Sequence, residues 1–190
     1  MNTLSKVLSV LTLTLILASA AQAQLINYDQ LFADKADQTK ERTLANGDTV
    51  TDLRLDHGVI ITRKPDGSYL SLTTLGTAPA CYFEIAIVLT ALAQDCPEAF
   101  GTNRATALKT TLGKLTAHIA RNAYPAQTPE AITTLAQSRI TAARKSNRQC
   151  AASQSSELAG WLKLADNLTR ENGVAVDNLP DMLPVTNPCF

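Results

Sequence analysis

The chain has 190 residues, with 17 Lys and Arg against 17 Asp and Glu, so its formal net charge at neutral pH is zero. A nucleic-acid-binding domain needs surplus positive charge, which this balance does not supply. Hydrophobic residues make up 45% of the chain and charged residues 18%, a composition typical of a folded globular protein. Aromatic residues amount to 5%, which argues against a groove that stacks sugars or bases on aromatic rings.

The first 23 residues have the pattern of a secretory signal peptide. Lys6 is the one charge of a short basic region, residues 7–18 are apolar, and the sequence AQA at 21–23 is a small-x-small cleavage pattern. The apolar run is too short to span a bilayer comfortably, which disfavours the alternative of an uncleaved anchor. We therefore expect one exported domain over residues 24–190, periplasmic or secreted, with no transmembrane span in the mature chain.

Residues 24–76 form the predicted β-rich part of this domain. Runs rich in Val, Ile, Thr and Tyr lie at 49–55, 59–63 and 69–75. The last two runs are separated by a Pro-Asp-Gly turn, in which Pro presets φ and Gly supplies a positive φ. This pattern predicts a three-stranded antiparallel meander, and the most apolar run, 59–63, should be its central strand.

Residues 77–172 have a helical period instead. The run 81–95 is apolar on nearly all sides, which predicts a helix buried by its neighbours. Amphipathic helices are expected at 103–122, from Thr128 onward, and at 155–171, followed by an irregular tail over 173–190. The predicted fold is α+β: a small meander packed on a C-terminal bundle of three to four helices, with one shared core and disulfides as staples.

All four cysteines follow the signal peptide, and an even number in an oxidising compartment predicts two disulfides. A continuous helix over 81–95 would separate Cys81 from Cys96 by about 22 Å, farther than the Cα atoms of a disulfide can lie. Short connections make the helices antiparallel neighbours, so Cys96 should meet Cys150 and leave Cys81 for Cys189. No Cys-x-x-Cys pair occurs and neither histidine is near a cysteine in sequence, so we expect no metal and no cofactor.

Common catalytic motifs are missing from the sequence. It contains no Gly-x-Ser-x-Gly, no Ser-x-x-Lys, no His-Glu-x-x-His and no phosphate-binding loop. Three side chains remain as weak candidates for acid–base chemistry: Glu84, His118 and His57. Each also has a structural interpretation. Glu84 would lie on the solvent-exposed edge of its helix or form an ion pair. His118 would be partly buried beside the apolar face of its helix, and His57 would be an exposed turn residue.

Two further features invite a functional interpretation. Arg139, Arg144, Lys145 and Arg148 form a basic end to the third predicted helix, where they complement the helix dipole or contact an anion or acidic partner. Trp161 is expected in the core, with an interface anchor as the alternative.

Together these patterns predict a small exported disulfide-bonded protein that acts as a non-enzymatic binding or interaction module, with another envelope or secreted protein as the expected partner. The first alternative is a cell-envelope hydrolase or transferase that uses Glu84 with His118 or His57, which requires those side chains to converge in one pocket. The second alternative is an inhibitor of an envelope or secreted enzyme that presents the hairpin at 64–68.

Overall fold

The computed structural model describes residues 25–76, 78–146, 150, 155–170 and 174–189. These residues combine one antiparallel sheet with a set of helices, so the fold class is α+β as expected. The predicted signal peptide at 1–23 lies outside the described residues.

The sheet has four strands in the described part of the chain, one more than the predicted three. They follow one another as antiparallel neighbours in the order β1-β2-β3-β4. The run 59–63 lies inside the sheet as β3, between β2 and β4, as expected. The strands are β1 (Thr39–Thr43), β2 (Thr49–Arg54), β3 (Val59–Arg63) and β4 (Tyr69–Thr73).

The added strand, β1, has the sequence TKERT and no apolar residue, so no alternation of apolar and polar positions marks it. It is held by pairing with β2, where Arg42 Nε donates to Asp52 Oδ2 at 2.9 Å. Thr62 Oγ1 donates to the same carboxylate at 2.7 Å, and these partners, Arg42 first, lower the pKa of Asp52. A charged edge strand also protects the sheet from pairing with another chain.

One face of the sheet is covered by helix α1 (Tyr28–Asp34) and by the C-terminal tail. The ring of Tyr28 stacks on Tyr69 with 4.9 Å between centroids, and the Tyr28 hydroxyl lies 2.9 Å from Ser71 Oγ. We call the buried cluster beneath this face the sheet core. It consists of Ile26, Leu31, Phe32, Leu53, Val59, Ile61, Ala78, Cys81, Met182 and Val185.

The helices pack into a second cluster, the helical core, which includes Phe83, Leu89, Leu108, Leu115, Ile119, Ile132 and Ala165. Gly101 (φ 68, ψ 160) breaks the first turn of α3 from the rest, which explains why the regular helical period begins only at about 103. Thr128 Oγ1 accepts from the Ala131 N–H at 3.2 Å, as expected of an N-cap. The helices are α2 (Pro79–Asp95), α3 (Pro97–Asn122), α4 (Pro129–Ser146), α5 (Ser155–Thr169) and the short α6 (Val174–Asp177).

The expectation of one shared core was wrong, because the described residues form two clusters rather than one. The C-terminal tail explains the difference. Met182 and Val185 of the tail pack beneath the sheet, where the helices were expected to pack. Leu25 and Ile85 pack against both clusters and join them.

The disulfides join Cys96 to Cys150 and Cys81 to Cys189, the pairing that antiparallel helices predict. The expected irregular tail contains α6 and is then tied to the sheet. The Thr73 N–H donates to Asn187 O at 2.9 Å, so the tail lies along the edge of β4. No helix among the described residues is long and apolar enough to cross a membrane.

Candidate functional site

Glu84, the first candidate acid, is engaged in an ion pair between helices. Arg139 of α4 donates to its carboxylate across the interface with α2. The Glu84 side chain is 42% exposed and the Arg139 side chain is 36% exposed, so the pair lies at a solvent-exposed edge of the helical bundle. No hydrogen bond or ion pair in the described part of the chain connects Glu84 with a histidine.

His118 is 4% exposed on α3 and is held in a polar contact with the end of its own helix. The Asn122 amide donates to His118 O at 3.0 Å and lies 3.5 Å from the ring nitrogen Nε2. Burial lowers the pKa of His118, the nearby Arg121 lowers it further, and Asp181 opposes them. The environment of the ring therefore disfavours its charged form.

His57 lies in the 3-10 turn between β2 and β3, with a left-handed backbone (φ 56, ψ 30). Gly58 follows with φ 66, and a Cβ there would lie 2.1 Å from the Thr74 hydroxyl, so only glycine fits. Thr73 Oγ1 donates to His57 O at 3.1 Å and fixes the turn against β4.

The two histidines lie near the same polar cleft, between the sheet and the end of α3. This cleft has a volume of about 360 Å³ and is lined by His57 and by Asn122, the side chain that contacts His118. Glu84 does not line it. The convergence of Glu84 with His118 or His57, which the hydrolase alternative requires, is therefore not seen in any described contact.

The basic end of α4 is partly used for helix packing. Arg144 Nε donates to Asp95 Oδ1 at 2.7 Å, so Arg139 and Arg144 each bind a carboxylate of α2. The side chain of Lys145 and the whole of Arg148 lie outside the described residues. Trp161 is half-buried and packs against the helical core, in agreement with its core interpretation.

A groove that the sequence patterns did not indicate runs between α2, α3 and α4. Its volume is about 480 Å³, within the range of about 300–1,000 Å³ that is usual for small-molecule sites. We call it the helical groove. Its floor is formed by Ala93, Leu108, Leu112, Gly113, Ala136 and Ile140.

Small side chains create the helical groove. A Cβ added to Gly113 would meet no atom within 4 Å, so this position faces open space. Leu112 of α3 is only partly buried, whereas Leu108, one turn earlier, also lines the groove but is fully buried, as is Leu115. The signal that could have revealed the site is the run of Ala and Gly at helix positions that face other helices.

The rim of the helical groove carries polar side chains that have no partner in the described part of the chain. Gln94, Lys109 and Gln137 are exposed, and no described residue forms a hydrogen bond or ion pair with their side chains. The hydroxyls of Thr90 and Thr133 donate instead to backbone oxygens of their own helices, at 2.7 and 2.8 Å. The amides and the ammonium are therefore the groups free to bind a ligand.

Among the described residues, no group of three or more His, Cys, Asp or Glu side chains could hold a metal ion. No protein-family model, no curated protein and no solved structure matches the chain. The function must accordingly be inferred from the helical groove and from the contacts that occupy the candidate acid and base groups.

Proposed function

We propose that the protein is an exported binding module that takes an apolar or amphipathic small molecule in the helical groove and has no catalytic activity of its own. The observation that supports this most is the apolar floor beneath unpaired amide and ammonium groups. Ligand sites are typically lined by apolar side chains with a few polar groups that fix orientation. Export rests on the predicted signal peptide, and the two disulfides are compatible with it.

The proposal also accounts for the candidate acid and base groups. Glu84 is neutralised by Arg139, and His118 is enclosed at the end of α3. A general acid or base must reach the proton that it transfers, and neither side chain lines the helical groove. Binding without catalysis is therefore the simplest use of this site.

The proposal is tested with N-phenyl-1-naphthylamine, a neutral apolar dye whose fluorescence rises in an apolar environment. Gly113→Leu places a side chain in the helical groove, at a position where a Cβ meets no atom within 4 Å. We expect the purified protein, with both disulfides formed, to bind the dye, and Gly113→Leu to weaken binding at least tenfold.

Gly160→Leu is the matched control, because Gly160 is an exposed helical glycine of α5 with open space around its Cβ position. It should leave dye binding unchanged, and circular dichroism should show that both variants fold. Equal dye binding by Gly113→Leu, Gly160→Leu and the unsubstituted protein would exclude the helical groove as the binding site.

A second candidate function is favoured by an exposed leucine on the sheet. Leu70 of β4 is 44% exposed and lies close to the hairpin at 64–68. That hairpin is fixed by the Lys64 N–H, which donates to Ser68 O at 2.9 Å. A rigid turn beside an exposed apolar side chain suits an inhibitor that docks on an envelope or secreted enzyme. Saturating protein that fails to slow any of a panel of proteases and muramidases would exclude this function.

A further inference from the structure

We infer that the ligand of the helical groove is a single-chain anionic amphiphile of the fatty-acid type, with its carboxylate at Lys109 and its hydrocarbon chain along α3 past Gly113. This inference rests on the proposed function, because it names the ligand class of the same groove. Three properties of the groove carry it: the sign of its charge, the place of that charge, and its width.

The charge of the groove has one sign. Lys109 is the single charged side chain among the described residues that line it, and the lining contains no carboxylate. Lys109 also has no ion-pair partner in the described part of the chain, so its charge is available to a ligand. A cation above an apolar floor favours a molecule that has an anionic head and an apolar tail.

The charge lies toward one end of the groove. α2 and α3 are antiparallel and are joined at Cys96, so Gln94 and Lys109 lie on the side of the groove nearest that connection. The groove continues along α3 to Thr116, past the open position at Gly113. A head group bound by Lys109, with the Gln94 amide as a second donor, therefore leaves the longer part of the floor for the tail.

The groove is narrow. It follows α3 from Ala105 to Thr116, which corresponds to about 16 Å at 1.5 Å per residue. With a volume of about 480 Å³, the mean cross-section is about 30 Å². An extended hydrocarbon chain is about 4–5 Å wide, so a cross-section of this size suits a single chain.

The polar cleft near the histidines does not share these properties. It is lined by the cations Lys35, Arg54 and Arg121 but also by Asp56 and Asp181, and Arg121 lies 3.5 Å from Asp181. The two carboxylates disfavour an anionic head group, and the mostly polar lining offers no comparable floor for a hydrocarbon tail. The helical groove is the better site for an anionic amphiphile.

The test compares three competitors with the same chain length, namely dodecanoate, dodecanol and dodecyltrimethylammonium, each below the concentration at which it aggregates. Each competitor displaces N-phenyl-1-naphthylamine from the purified protein. We expect dodecanoate to bind at least threefold tighter than the cationic competitor. Lys109→Gln should weaken dodecanoate binding by about three- to fivefold, the strength of a partly exposed ion pair, and Lys109→Glu should reverse the preference toward the cation.

Lys163→Gln is the control, since Lys163 is an exposed lysine of α5 that does not line the groove. It should leave the displacement by dodecanoate unchanged. Dye binding that depends on Gly113, together with no preference for dodecanoate or no effect of Lys109→Gln, would overturn this inference and leave the proposed function standing. Failure of the dye to bind, or indifference of the dye to Gly113→Leu, would overturn both.

Discussion

The packing of α1 on the sheet half of the molecule (residues 25–76 and 182–189) differs from the junction of α2, α3 and α4 in the helical half (residues 79–146 and 155–170). Aromatic rings join α1 to the sheet: Tyr69 lies 4.9 Å from the Tyr28 ring and 5.3 Å from the Phe32 ring, and Arg63 lies over Phe32 at 5.4 Å. The junction of α2, α3 and α4 is built instead from Ala, Gly and a few Leu and Ile residues. Rings therefore fill the space between α1 and the sheet, whereas small side chains leave the groove between the three helices open.

The two halves also differ in how the chain closes them. The Cys81–Cys189 bond spans 108 residues and brings the tail to the sheet, whereas the Cys96–Cys150 bond spans 54 residues and ties α2 to the segment after α4. The sheet core therefore depends on a distant tail, and the helical core depends on neighbouring helices. We infer that the sheet half is structural and that the helical half carries the binding site.

The largest expected effect comes from removing one disulfide at a time. In the chain-entropy treatment, the loss of either bond lowers the free energy of unfolding by about 4–5 kcal/mol. Replacing Cys81 and Cys189 with Ser should speed hydrogen exchange in β4 and at the start of α2, where the tail is bound. Replacing Cys96 and Cys150 should speed exchange at the C-terminal end of α4. Loosening of the same segments in both variants would contradict the division into two halves.

A smaller effect is expected from the buried histidine between the halves. Because burial lowers the pKa of His118, the unfolded chain takes up a proton near pH 6.5, whereas the folded protein takes it up only at a lower pH. The free energy of unfolding should be level above about pH 6.5 and should fall below it, by at most about 1.4 kcal/mol for each pH unit.

Urea unfolding as a function of pH measures this dependence. His118→Gln should flatten the plot of unfolding free energy against pH just below pH 6.5. It should leave unchanged the loss of stability at lower pH that comes from protonation of carboxylates. A curve that His118→Gln does not change would mean that this histidine does not resist protonation in the folded state.

The smallest expected effect is a stabilisation within the helical groove. Gly113→Ala adds a Cβ to open space in the middle of α3, which should raise the free energy of unfolding by about 1 kcal/mol or less. Gly160→Ala on α5 should give a similar gain, because its Cβ position is also open. Thermal unfolding of the two variants checks this, and destabilisation by Gly113→Ala alone would mean that the groove is closed in solution.

Much of the fold could be predicted from local pattern. β2 to β4 and the four long helices follow from apolar spacing, and turn residues mark most of their ends. Strand β1 could not be predicted, because its side chains are nearly all exposed and only its pairing with β2 makes it a strand. The two separate cores could not be predicted either. Met182 and Val185 belong to the sheet core, but they come from a tail whose sequence has no helical or strand pattern.

The candidate site could be predicted much less well, for a physical reason. Sequence patterns indicate where apolar side chains are buried. A groove, however, forms where side chains on three different helices are together too small to fill the space between them. Leu108 and Leu112 lie one helical turn apart on α3 and both line the groove, yet Leu108 is fully buried and Leu112 only partly. Titratable residues draw attention first, and here Glu84 is occupied by an ion pair.

The most direct test of the helical groove as the binding site is a titration of the isotopically labelled protein with dodecanoate, followed residue by residue through its backbone amide signals. We predict that the signals of Lys109, Gly113 and Gln137 shift with a common binding curve, while those of Gly67 in the β3–β4 turn and Leu70 on β4 stay in place. Shifts confined to the sheet, with the groove signals unchanged, would contradict this prediction.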